Sequence, residues 1–177
     1  IVIDNFARRG DCVFVARPDG DSHAEASNAL GIKTPTLPVT GFGLFFLDYD
    51  LDGRLDLFQT NGHVFTEEVA DYFQEAFRQP SQLFWKKPPG ETPEFVLVSP
   101  EHGGRALAKE ILGRGAAYGD IDGDGDLDIV ITENGGPAIV LRNDQTLGHH
   151  WLRLRLQGRP PNTSAIGAEA RLRVDGK

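Results

Sequence analysis

The sequence predicts an all-β fold built from four-stranded antiparallel units, as in part of a β-propeller. Three observations predict it. Apolar residues fall in short, strand-sized runs such as "LFFL" at Leu44–Leu47, and helical periodicity is scarce. Turn formers are abundant, with 21 Gly and 11 Pro in 177 residues, as suits a chain that reverses often. An internal repeat recurs at an offset of 72 residues, and repeats of this length belong to propeller or solenoid arrays.

The repeat is clearest where "TGFGLFFLDYDLDGRLDLFQTNG" (Thr40–Gly62) is set against "LGRGAAYGDIDGDGDLDIVITENG" (Leu112–Gly135). Asp48, Asp50, Asp52, Gly53 and Asp56 fall on Asp120, Asp122, Asp124, Gly125 and Asp128, and Gly41 and Gly43 fall on Gly113 and Gly115. "VFVARPDG" (Val13–Gly20) resembles "LFWKKPPG" (Leu83–Gly90) at an offset of 70, and "SNALG" (Ser27–Gly31) precedes "SPEHG" (Ser99–Gly103) by 72.

In chain order, residues 1–40 read as the last strands of a partial unit that lacks the acidic loop. Residues 41–112 read as a complete four-stranded unit with strands at Gly43–Leu47, Leu55–Thr60, Gln82–Lys86 and Glu94–Val98. Between its second and third strands, residues 64–78 read as a helical insert: Val69, Tyr72, Phe73 and Phe77 follow helical spacing, with acids early in the segment. Residues 113–148 begin another unit with its own acidic loop. Residues 149–177 read as a C-terminal β segment, because "WLRLRLQG" (Trp151–Gly158) alternates cleanly. Asp175-Gly176 is a hairpin-turn signal. With "IVIDNF" at the start and no methionine anywhere, the chain reads as a piece of a longer polypeptide whose open strand edges something covers. Two or three units are too few to close a propeller ring.

The two loops concentrate nine of the chain's 26 acidic residues. Self-repulsion makes that costly unless a cation offsets it. Both loops fit D-x-D-x-D-G-x-L-D. Carboxylates at positions 1, 3 and 5 converge on one hard ion, Gly at position 6 permits a sharp turn, and the acid at position 9 closes the shell. The carbonyl at position 7, of Arg54 or Asp126, adds another oxygen. The metal candidates are therefore Asp48, Asp50, Asp52, Arg54 and Asp56, and Asp120, Asp122, Asp124, Asp126 and Asp128. An all-oxygen set of this kind prefers calcium to magnesium. Two calcium ions would change the net charge from −8 to −4. An EF-hand is excluded, because position 12 is Gln59 or Ile131 where that loop needs Glu, and a β pattern follows where it needs a helix. The competing reading is a pair of acidic turns that bind nothing tightly.

The charge of −8 argues against nucleic acid and anionic membranes as partners, and no apolar run is long enough to span a bilayer. The single Cys12 permits no internal disulfide and reads as a buried small residue. His63, His102, His149, His150 and Glu133 form no recognisable nucleophile–base motif, and neither G-x-S-x-G nor HExxH occurs, so no catalytic residue is assigned. Trp85 and Trp151 suit core packing or sugar stacking. "NTS" at Asn162–Ser164 fits the N-glycosylation pattern.

"GFGLFFLDYDLDGRLDLFQTNGH" and "GRGAAYGDIDGDGDLDIVITENGG" resemble FG-GAP (VCBS-type) repeats, and "GHHWLRLRLQGRPPNTSAIGAEARLRV" (Gly148–Val174) resembles the opening of an ASPIC/UnbV domain. Together these cover nearly the whole chain. Arg114 departs from the repeat signature, which has an aromatic there. The resemblance implies an integrin-α-like β-propeller with calcium between the first two strands of each blade. It also implies export, whether extracellular, cell-surface or periplasmic, and adhesion or recognition of a protein or glycan. A structural subunit that assembles through open edges, with the remainder of its parent chain or other copies, is the alternative. An accessory domain of a carbohydrate-active enzyme is a weaker one.

Overall fold

The computed structural model describes residues 1–173. In chain order the elements are β1 (Val2–Ile3), β2 (Cys12–Ala16), β3 (His23–Glu25), α1 (Ser27–Leu30), α2 (Lys33–Thr36), β4 (Gly41–Leu47), β5 (Asp56–Asn61), α3 (Glu67–Phe73), β6 (Gln79–Pro80), β7 (Gln82–Lys86), β8 (Phe95–Leu97), α4 (Pro100–Gly103), β9 (Glu110–Ile111), β10 (Gly113–Gly119), β11 (Asp128–Glu133) and β12 (Ile139–Leu141). They form antiparallel sheets β1-β2-β3, β4-β5-β7-β8 and β10-β11-β12, and a short β6-β9 pair. The fold is all-β with few and short helices.

The four strands of the central sheet are the four the sequence predicts, displaced by no more than two residues at either end. The helix α3 falls inside the expected insert. Glu67 and Glu68 occupy its first turn, where the unsatisfied N–H groups favour negative charge. Gln74, in the left-handed region at φ 56°, ends it. The one-turn helices α1, α2 and α4 were not expected, since four residues are too few to carry a helical period.

The central sheet is covered on both faces, which explains why β5 is buried at every position. Period-two alternation sends its side chains to two cores. Phe58 and Leu83 join Leu47, Ile111, Ile129 and Ile131 against the β10-β11-β12 sheet. Leu57 and Phe84 join Val13, Leu30, Ile32 and Phe95 toward the β1-β2-β3 sheet. Phe58 and Phe84 are fully buried, so truncating either to Ala costs about 3–5 kcal/mol. Close approach of β10 to β4 and β5 needs glycine: a Cβ on Gly43 would strike the backbone of Gly115 and Ala116, and one on Gly113 would strike Thr60 of β5. Arg114, the departure from the repeat signature, stacks its guanidinium 4.5 Å from the centre of the Phe42 ring and donates to the His63 carbonyl at 2.8 Å. An aromatic–cation contact thus fills the position.

The C-terminal β segment is a correction. Among the described residues after β12 there is no strand, and Trp151–Gln157 are exposed. Their alternation is genuine, but a strand is held by ladder hydrogen bonds and no neighbouring strand among the described residues supplies them. The Asp175-Gly176 turn lies outside the described residues.

A belt of buried polar side chains crosses the far ends of the sheets. The Gln59 amide donates to Asn61 Oδ1 at 3.1 Å and Gln82 Oε1 at 2.8 Å, Gln82 donates to the Pro35 carbonyl at 2.8 Å, and Gln79 Oε1 accepts from Thr40 N at 2.8 Å. Two oxygens of this belt have no partner: Asp11 Oδ2 and Gln59 Oε1. Their side chains interact, and burial, reinforced by Asp4, pushes the Asp11 carboxyl up to about 6. Protonation removes the buried charge and puts an O–H on the carboxyl. Because the folded pKa lies above the unfolded one, the folded state holds the extra proton between about pH 4 and pH 6, and stability falls as pH rises through that window. The loss approaches about 3 kcal/mol above it. Asp11→Asn carries a permanent N–H in that place. It should raise the melting temperature at pH 7 and leave it little changed at pH 4, as thermal denaturation at the two pH values will show. Equal effects at both would contradict the raised Asp11 carboxyl.

Candidate metal centres

Each acidic loop is the connection of a hairpin. Residues 48–55 join β4 to β5 and residues 120–127 join β10 to β11. The last rung pairs Leu47 with Asp56 in one and Gly119 with Asp128 in the other, and both ladders shift register at the same place, between Gly41 and Leu44 and between Gly113 and Ala116. The two loops therefore share their frame, residue for residue.

The turn at position 6 uses Gly53 at φ 85° and Gly125 at φ 100°. Position 4 also lies in the left-handed region, at Leu51 (φ 57°) and Gly123 (φ 84°). Leucine bears that conformation at a cost of about 1–2 kcal/mol, and the requirement is visible in the sequence only where glycine meets it.

The position-nine aspartates are the most buried acids of the two loops, Asp56 at 0% and Asp128 at 1% exposure. Each ties its own loop to the chain at the end of the third strand, at Lys86 in β7 and at Asn143 two residues past β12. Asp56 accepts from Tyr49 N at 3.3 Å and Lys86 N at 2.7 Å. Asp128 accepts from Ile121 N at 2.9 Å and Asn143 N at 2.9 Å. The first loop is drawn in by Asp48, which accepts from Asp52 N at 3.0 Å and Gly53 N at 2.9 Å; in the second, Asp120 accepts from Gly123 N at 2.7 Å. Asp52 and Asp124 take the equivalent bond from the N–H two residues on, at 2.8 and 3.0 Å.

Carboxylate oxygens of Asp48, Asp50 and Asp56 lie within 4.8 Å of one another, as do those of Asp120, Asp122 and Asp124. Each trio could hold a metal ion. The trios are not the same subset of the motif. Asp52 turns to the Arg54 guanidinium, which also donates to the Lys86 carbonyl and faces the Trp85 ring. Asp128 lies outside its trio although it has the same two kinds of backbone donor as Asp56, and Asp126, buried, accepts from Gln145 at 3.0 Å.

Without a cation these carboxylates oppose one another. Burial, then the Asp52 charge, pushes Asp50 up; burial pushes Asp56 up to about 7; burial, then Asp124, pushes Asp122 up. The Tyr49 phenol is pushed up to about 12 by burial and then by Asp50.

Sequence reading missed the groups that reach the loops from elsewhere. The Trp85 indole donates to Asp50 Oδ2 at 3.0 Å, Asn143 donates to the Tyr49 carbonyl at 2.6 Å, and His149 Nδ1 meets the Asp50 carbonyl. The other histidines take structural places. His63 Nε2 contacts Glu75 at 3.1 Å while its Nδ1 accepts from Phe65 N, and His102 Nδ1 contacts Ser99 Oγ at 2.9 Å inside α4's turn. Glu133 pairs with Arg78, and Cys12, half-buried, faces Asn5. Asn162 lies exposed, its side chain closing a turn onto Ile166.

Fold and loops together define an all-β protein with two acidic clusters suited to metal ions. No family model matches the chain, and no curated protein matches it. No helix among the described residues is long and apolar enough to cross a membrane.

The geometry separates two roles within one motif. Asp56→Ala strands two backbone N–H groups near the core and should cost about 2–4 kcal/mol even in chelator. Asp122→Ala, whose carboxylate faces solvent, should cost under about 0.5 kcal/mol in chelator. Urea denaturation of both variants in chelator checks this, and equal losses would contradict the division.

Proposed function

We propose that this chain is part of an exported, calcium-stabilised β-propeller of the FG-GAP type, which serves adhesion or the recognition of a protein or glycan. One observation carries the reading: the same acidic loop stands at the same position of two adjoining hairpins, with three carboxylates gathered in each. Repetition in register speaks against an accidental acidic turn.

The donor sets fit calcium. All candidate ligands are oxygens and several are carboxylates, the donor set that a large hard cation takes. Asp48, Asp50 and Asp56 would hold one ion, and Asp120, Asp122 and Asp124 the other, with Asp52 available if Arg54 moves aside. A bound cation would relieve the repulsion that raises Asp50 and Asp122. The role is structural, since strands flank both loops and, among the described residues, no helix pair flanks either loop to open as a sensor does. Millimolar calcium outside the cell would fill even weak sites of this kind.

Recognition fits a cavity of about 420 Å³ beside the first loop, walled by Tyr49, Trp85, Val98, Ser99 and His102. Two aromatic rings, a hydroxyl and an imidazole among its lining, beside the aliphatic Val96 and Leu97, suit a neutral, amphipathic group such as a sugar ring. A second reading, assembly through strand edges, draws on exposed Val96 and Leu97 of the edge strand β8 and Val140 of β12. Molar mass in solution separates it: a discrete monomer opposes assembly.

Calorimetric titration of calcium-free protein should give two ions per chain, and Asp124→Ala should leave one. No binding at millimolar calcium would end the calcium reading. At a hundredfold excess over Kd each ion should stabilise by about 2.7 kcal/mol, or about 5–10 °C in melting temperature. An unchanged melting curve in chelator would show that the ions, if bound, do not hold the fold.

A further inference from the structure

The chain after β12 has no strand partner among the described residues, yet it is not without attachments. Asn143 takes hold of both hairpins, donating its side chain to the Tyr49 carbonyl of the first loop and its N–H to Asp128 of the second. Gln145 donates to Asp126 in the second loop at 3.0 Å, and His149 reaches back to the Asp50 carbonyl in the first. Trp151 lies against Gly125, where any side chain would strike its indole ring. Arg153 stands 5.5 Å from the Trp151 ring and pairs with Asp120.

These contacts reach both loops, and the last differs in kind from its counterpart. Arg54, the cation of the first loop, pairs with Asp52, which lies outside the converging trio. Arg153 pairs with Asp120, a member of the trio in the second loop. A cation can enter the first loop and leave Arg54 in place. In the second it must compete with Arg153 for the same carboxylate.

We propose that residues 143–153 form a strap laced across both acidic loops, whose Arg153 occupies Asp120 until a cation loads the second loop and releases the strap's end. The proposal rests on the reading of the loops as cation sites. Arg153 is well exposed, with 62% of its side chain accessible, and exposed ion pairs are weak. A divalent cation gathered by three carboxylates displaces it readily. Trp151 follows, because Gly125 and the Arg153 stack are what hold it. The two loops then load unequally, the second against a built-in competitor.

The indoles provide the readout, since the chain has two Trp, one at each loop. In Trp85→Phe protein, Trp151 is the remaining indole, and calcium should shift its emission to the red. Arg153→Gln should produce that shift without calcium, remove the further response to calcium, and tighten the second site by about threefold in calorimetry. If Trp85→Phe does not fold, the same signal is the difference between the unmodified protein and Trp151→Phe. Two bound calcium ions with unmoved Trp151 emission and unchanged affinity in Arg153→Gln would overturn the strap and leave the cation sites standing. Absence of calcium binding would overturn both.

Discussion

A buried carboxylate that joins its own loop to the chain at the end of the third strand of its sheet is the interaction on which each acidic hairpin depends. Asp56 and Asp128 do this with the same two kinds of backbone donor, in the same register. Each fixes where the loop begins relative to the sheet edge, and so where the other aspartates can meet. Charge is the consequence. Once the ninth position is committed to the backbone, the alternating acids at positions 1, 3 and 5 have little room to separate, and burial holds Asp50 and Asp56 above the usual carboxylate range. A site that is electrostatically uncomfortable when alone is one that a divalent cation completes.

The sheets beneath explain why the loops stand side by side. Both faces of β5 are covered, with Phe58 packed one way and Leu57 the other. Glycine at Gly43 and Gly113 lets β10 approach β4 and β5 closely enough for one apolar core to serve two sheets. The loops emerge from corresponding ends of these strands, and the buried polar belt of Gln59, Asn61, Gln79 and Gln82 lies at the opposite ends. Hydrogen bonding thus fills the space where side chains from several elements meet but no apolar core forms. Asp11 is where the belt leaves a carboxyl oxygen without a partner.

Much of this was legible in the sequence. "LDLF" and "LFW" carry the alternation that places β5 and β7, and the repeated D-x-D-x-D-G-x-L-D marks both loops together with their turn glycines. What escaped depends on contacts distant in sequence. Leu51 hides the left-handed conformation that Gly123 reveals at the same position. Nothing in "KKP" or "RND" announces that Lys86 and Asn143 supply the N–H groups for Asp56 and Asp128. The alternation of "WLRLRLQG" reads as a strand, but alternation describes a chain's two faces and cannot supply the neighbour that a ladder requires. In place of a ladder, that region attaches through Trp151 and Arg153 to the second loop.

Everything proposed for function returns to whether cations occupy the two loops. The most direct measurement is anomalous scattering from crystals grown with calcium. Two peaks are predicted, one within ligand distance of Asp48, Asp50 and Asp56 and the other of Asp120, Asp122 and Asp124. Loops that keep this geometry at millimolar calcium with no peak in either would contradict the account.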